Sequence, residues 1–111
     1  MEYKKAAVYY NGTKAGELQK NATGYVFEYD PVYAATPGSN PISLAMPLNK
    51  GRFESAKLFP FFEGLLPEGW LLNITSKALK IDNEDKFELL LHVGKDTIGA
   101  ISIIPEEDIK E

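Results

Sequence analysis

No cysteine occurs in the 111-residue chain, so neither a disulfide frame nor a thiolate metal site is open to it. Histidine, arginine and tryptophan occur once each, as His92, Arg52 and Trp70. A lone histidine cannot supply the converging ligand set of a metal site. A single arginine in a chain of formal net charge −4 excludes direct nucleic-acid binding from the expected functions. Phosphates and guanine edges are read by a basic, arginine-bearing stripe. No run approaches the roughly 18 apolar residues of a membrane span. No apolar segment long enough for a signal peptide follows Met1-Glu2-Tyr3-Lys4-Lys5, so a cytoplasmic location is expected.

The motifs of chemistry are missing too. There is no Gly-x-Ser-x-Gly elbow, no Gly-x-Gly-x-x-Gly loop, and no His-Arg-Asp or Asp-Phe-Gly element. Gly64 and Gly69 have the spacing of Walker-loop glycines, but Trp70 stands where the lysine belongs. The carboxylates Glu106, Glu107 and Asp108 sit in a charged ending that reads as a solvated, fraying tail over residues 106–111. His92 falls at a helix end, where the dipole favours a cation, rather than in a ligand set. No catalytic residue, metal or cofactor is therefore assigned, and binding to another protein is the expected mode of action.

What is present suffices for one folded domain over residues 1–105. A 44% hydrophobic and 12% aromatic composition can fill a core, and 25% charged residues cover its surface. Residues 3–10 are aromatic and β-branched, and Asn11-Gly12 follows. That dipeptide is the signature of a tight hairpin, because both central positions need positive φ. Residues 13–19 give the return strand, with Gly16 marking a bulge or a close backbone approach. Residues 25–29 alternate Tyr25, Phe27 and Tyr29 with Val26 and Glu28, completing a meander. Asp30-Pro31 predicts one helical turn over 31–35. Ile42, Leu44, Met46 and Leu48 alternate with smaller residues and predict a strand over 42–48, placed at an edge or end by Pro47.

The second half reads as helical. A short helix surrounds Pro60 and stops before Pro67. A second runs from Pro67-Glu68 to about Lys80, with Leu71, Ile74, Ala78 and Ile81 on one apolar face. A third spans residues 83–92, capped by Asp82 or Asn83 and stopped at Gly94. Residues 98–104 form a last strand, stopped by Pro105, that returns to the first ones. The fold class is α+β: a small antiparallel or mixed curled sheet of about five strands, with about three short helices packed on one side.

Residues 59–72 concentrate large apolar side chains around two prolines and two glycines. Most belong to a core. Trp70 lies about 70° from the centre of its helix's apolar face, directly after Gly69 at the helix start. Tryptophan is a leading anchor residue of protein interfaces. Trp70, with Pro67, Leu66, Phe62 and Glu68 near it in sequence, is the candidate partner-binding set.

The order of motifs resembles the N-terminal domain of HipA-type serine/threonine kinases, the toxin kinases of bacterial toxin–antitoxin systems. The matching segments are Val8-Tyr9-Tyr10-Asn11-Gly12 with Gly16-Glu17-Leu18, then Tyr25-Val26-Phe27-Glu28-Tyr29, then Ser43-Leu44-Ala45-Met46-Pro47-Leu48. Leu65-Leu66-Pro67-Glu68 and Gly94-Lys95-Asp96-Thr97-Ile98-Gly99-Ala100 with Ile103-Ile104-Pro105 complete the series. The resemblance implies a kinase context without kinase activity here, since the family's ATP loop and catalytic acids lie downstream of this domain. It implies either a stand-alone, HipS-like regulator that binds and restrains a HipA-like kinase core, or the N-terminal structural domain of a single-chain kinase. A HipB-like helix-turn-helix antitoxin is a second implied partner, and self-association is expected when the kinase is absent.

Overall fold

The computed structural model describes residues 4–66, 69–82, 84–94 and 100–106, with nothing said of the Gly69 and Trp70 side chains. Strands β1 (Lys4–Tyr10), β2 (Thr13–Asn21) and β3 (Gly24–Tyr29) form the expected antiparallel meander. Asn11 and Gly12 take φ of 49° and 83°, the two left-handed positions that a tight hairpin turn of this kind requires. The register of β1 against β2 slips between Val8 and Tyr9, which is the bulge that Gly16 announces. A Cβ on Gly16 would lie 2.4 Å from the Glu28 carbonyl oxygen and 2.9 Å from the Phe27 ring. Only a residue without a side chain lets Phe27 lie flat on β2 there.

Asp30 caps α1 (Pro31–Ala35), its carboxylate accepting from the N–H groups of Val32 and Tyr33 at 2.8 and 3.3 Å. A long loop leads to a 3₁₀ turn (Leu48–Lys50) and to β4 (Arg52–Ser55), which pairs antiparallel with β3. Then come α2 (Pro60–Glu63), α3 (Gly69–Leu79), α4 (Lys86–Val93) and β5 (Ile101–Glu106). β5 pairs antiparallel with β1, giving the sheet order β4-β3-β2-β1-β5. Every pairing in the sheet is antiparallel. The helices cover one face, where Val8, Leu18, Phe27 and Ile103 meet Phe62, Phe87, Leu89 and Leu90 in a fully buried core. The other face carries ion pairs of Lys14 with Glu17 and Glu106, and of Arg52 with Glu28 and Glu54. The exposed Arg52 pairs contribute little individually.

Three expectations are corrected. Residues 42–48 are not a strand. Ile42 and Met46 are buried and Leu44 is exposed, so the burial period is four, and Met46 N–H closes a turn on the Ser43 carbonyl at 2.9 Å. The fourth strand lies instead at Arg52–Ser55, where Phe53 alone faces inward. The last strand includes Pro105 and Glu106, because β5 is an edge strand and a proline there breaks no ladder on its open side. Its expected start at Ile98 lies outside the described residues, as do residues 107–111 of the charged tail. α4 begins at Lys86 rather than near residue 83, because Asp85 provides the cap by accepting from the Glu88 N–H at 3.2 Å. Asn83, the alternative cap, lies outside the described residues. Gly94 caps the helix's end as expected, its N–H donating to the Leu90 carbonyl.

Glu88 ties this helix to the sheet. It accepts from Lys4 at the start of β1 and lies 3.3 Å from His92 Nε2. The hydrogen bond from Lys4 holds the Glu88 carboxyl below the usual carboxylate range, against the opposing effect of partial burial and with help from His92. A carboxyl with a depressed folded-state pKa stabilises fully above its unfolded value, and that stabilisation is lost as the pH falls through the folded value. Thermal unfolding followed from about pH 6 to about pH 3 will show the wild type losing stability more steeply than Glu88→Gln. Equal slopes would refute the coupling.

Candidate functional site

The α2–α3 segment is where the sequence points, and its local physics divides buried from exposed residues. Pro60 occupies the first turn of α2, where its missing N–H costs nothing. Phe62 then enters the core and packs its ring against Phe27, Phe59 and Phe61 at centroid distances of 5.7, 6.1 and 5.2 Å. The chain leaves α2 through two tight turns, with the Leu65 and Leu66 N–H groups donating to the carbonyls of Phe62 and Glu63. Phe62 is 0% exposed and Leu66 6%. Both are thus core residues, and in this arrangement neither side chain is presented to a partner. Pro67 and Glu68 lie outside the described residues. Trp70 belongs to the first turn of α3, and its side chain lies outside what is described.

α3 turns the face opposite to the expected one toward the domain. Leu72 and Thr75 are half-buried and Ser76 is buried, its hydroxyl donating to the Asn73 carbonyl at 3.0 Å. Leu71 and Ile74 are 49% and 52% exposed, and Ala78 is exposed beside them. They follow helical spacing and form an apolar stripe on the outer side. The helix ends in a left-handed residue, Lys80 at φ 60°. Lys80 N–H donates to the Lys77 carbonyl at 3.2 Å and Ile81 N–H to the Ser76 carbonyl at 2.9 Å, the two bonds of a Schellman ending. That ending swings Ile81 out of the stripe and onto the core. Sequence reasoning assigned Leu71, Ile74 and Ala78 to a common apolar face without recognising that this face is the outward one.

Among the concavities of the described residues is an open groove of about 600 Å³ between the β1–β2 turn and the loop after α1. Its charged groups and the Tyr33 hydroxyl are already engaged. Lys14 pairs with Glu17 at 3.1 Å and Glu106 at 3.3 Å, Asp30 caps α1, and the Tyr33 hydroxyl donates to the Asn40 carbonyl at 2.6 Å. The Glu17 bond and the charges of both carboxylates hold the Lys14 ammonium above its usual range against burial, so it offers no base. Burial raises the Tyr29 and Tyr33 hydroxyls as well. Among the described residues there is no group of three or more His, Asp or Glu that could hold a metal ion. No helix among them is long and apolar enough to cross a membrane.

Comparison with known proteins decides the lineage. The family model described as "HipA N-terminal domain" matches residues 6–104. The chain belongs to the HipA N-terminal domain family. An uncharacterized protein of Haemophilus influenzae is 36% identical over 100 residues, a match spanning 90% of this chain and 91% of that protein. A putative kinase of Sinorhizobium fredii is 30% identical, the match spanning 90% of this chain but 24% of that protein. The serine/threonine-protein kinase toxin HipA of Shewanella oneidensis is 31% identical, with 82% of this chain and 21% of the toxin matched. The HipA N-terminal domain chain therefore spans a quarter or less of these kinases and nearly all of the Haemophilus relative. Among solved structures, the N-terminal domain of HipA toxin superposes with a TM-score of 0.75 at 35% identity, over 96% of this chain and 95% of that one. The Shewanella HipA–HipB–operator DNA complex shares the fold, with a TM-score of 0.73 at 24% identity over 95% of this chain and 24% of that one.

Proposed function

We propose that this HipA N-terminal domain is a non-catalytic interaction module that binds a HipA-like serine/threonine kinase core and restrains it, as part of a bacterial toxin–antitoxin system. The observation that carries the reading is the outward apolar stripe of Leu71, Ile74 and Ala78 on α3, in a domain that matches only 24% and 21% of the length of its kinase relatives. A solvated helix gains nothing from leucine and isoleucine on its outer side, whereas a docked helix does. Trp70, in the first turn of α3, is part of the proposed contact, with Pro67 and Glu68 assigned to it from the sequence alone, while Phe62 and Leu66 serve the core. The Haemophilus relative, which this chain matches over 91% of its length, supports a separately encoded regulator. The two kinases support the second reading, in which the same surface docks within one chain.

Restraint requires that the module bind an inactive arrangement of the kinase more tightly than an active one. A HipB-like helix-turn-helix antitoxin is the proposed second partner, since this acidic chain brings no basic stripe of its own.

The test is co-expression with a HipA-like kinase core lacking its own N-terminal domain. The chain will co-purify with the core and relieve its growth inhibition. Ile74→Asp, at an exposed position, will leave the unfolding midpoint unchanged and weaken the complex at least tenfold, roughly the contribution of one buried apolar side chain. Absence of a complex together with undiminished toxicity would defeat the proposal.

A further inference from the structure

Among the described residues, the two most exposed large apolar side chains are not on α3. They are Leu44, 95% exposed, and Val32, 75% exposed. Both fall in residues 31–49, where no charged side chain occurs between Asp30 and Lys50, although a quarter of the chain is charged. A solvated connection is ordinarily polar and charged, so this segment departs from what water alone would favour.

The segment is also held in shape. The Tyr29 hydroxyl, buried, donates to the Met46 carbonyl at 2.5 Å and accepts from the Ile42 N–H at 2.9 Å. Ile42 and Met46 are both buried, so the chain is pinned by side chain and backbone on either side of residues 43–45. Between the pins, Met46 N–H bonds the Ser43 carbonyl at 2.9 Å and Ala45 N–H bonds the Ser43 hydroxyl oxygen at 3.1 Å. Leu44 takes the second position of this turn, with exposed Ala45 after it and exposed Pro47 beyond Met46. Tyr33 stacks on Tyr29 and donates to the Asn40 carbonyl at 2.6 Å, fixing the preceding part of the loop.

A large apolar side chain at the tip of a doubly pinned turn binds with little further loss of conformational entropy. We propose that residues 43–46 are a preset docking turn whose anchor, Leu44, seats in an apolar, uncharged socket on the kinase core. This rests on the function proposed above and adds a contact separate from the α3 stripe. The occupant follows from the relatives. In the matched kinases three-quarters or more of the chain lies outside the region this domain matches, and that polypeptide is the surface available to the turn. The socket carries no compensating charge because the segment offers none.

The test uses the whole chain, labelled and in complex with the kinase core, displaced by unlabelled variants. Leu44→Ser will displace about ten- to a hundredfold less well than wild type, the effect of losing one fully buried leucine. Leu44→Met will displace within about threefold of wild type, because a volume-conserving apolar swap keeps the anchor. Unfolding midpoints of both variants will match the wild type, since the side chain touches little of its own domain. If Leu44→Ser displaces as well as wild type while the labelled complex forms normally, the docking turn is refuted and the regulatory reading stands. If the wild-type chain forms no complex, both fall together. If Leu44→Ser alters only self-association measured by light scattering, the turn is a contact between copies and the proposal is overturned.

Discussion

Phe27→Ala will destabilise the domain by about 3–5 kcal/mol, and its unfolding midpoint will fall by roughly 10–25 °C. Phe27 is fully buried on the central part of β3 and organises the aromatic core. Its ring meets Tyr29 edge-on at 4.8 Å and lies 5.7 Å from Phe62 and 6.4 Å from Phe53. Truncation removes the ring's transfer free energy and leaves a cavity that three other rings and the glycine platform at Gly16 cannot collapse into without moving backbone. For a domain whose total stability is about 5–15 kcal/mol, that is a large fraction. Phe27→Leu, which fills much of the space, will lose far less. The measurement is thermal and urea unfolding of the three proteins at one pH, and a midpoint drop below about 3 °C for the alanine variant would show that the core does not depend on this ring.

Tyr29→Phe will cost about 2–4 kcal/mol although it removes a single oxygen atom. That oxygen serves both the Met46 carbonyl and the Ile42 N–H, and all three groups are buried. The substitution leaves a donor and an acceptor dehydrated without a partner, each at about 1–3 kcal/mol. Burial raises the hydroxyl above the usual tyrosine range, so it stays protonated and can both donate and accept. Loss of the pins also frees residues 43–46, so Tyr29→Phe will weaken displacement in the kinase assay beyond its effect on stability. Circular dichroism for the first effect and the displacement assay for the second read them apart. A midpoint shift within error, with unchanged displacement, would show that water replaces the hydroxyl.

The meander was readable because its signals are local. Asn11-Gly12 demands left-handed φ, and Tyr25, Phe27 and Tyr29 alternate cleanly. The stop of α4 at Gly94 was readable for the same reason. β4 escaped because its four residues hold one apolar side chain, Phe53, and its strand character comes from pairing with β3 rather than from its own pattern. Residues 42–48 misled in the other direction. Their alternation is real in sequence, but two of the four apolar residues are core pins and Leu44 is not, and the hydroxyl that separates them belongs to a residue 13 positions earlier. The candidate site was legible as a segment and not as a surface. Helical spacing groups Leu71, Ile74 and Ala78, yet it cannot say which side of α3 meets the core. That is decided by the Schellman ending, which carries Ile81 inward, and by Leu72, Thr75 and Ser76 on the packed side. Phe62 and Leu66 were grouped with Trp70 by proximity in the chain, and the two turns after α2 are what bury them.

The pairing of β1 with β5 has an architectural consequence. Lys5 stands opposite Glu106, so the first and last described strands come together at one end of the sheet, with their outer termini side by side. Polypeptide enters and departs through one doorway, and whatever is attached there leaves the rest of the fold undisturbed. The matched region makes up 24% and 21% of the two kinases but 91% of the Haemophilus protein, so a unit of this kind occurs both as a fraction of a long chain and as nearly the whole of a short one.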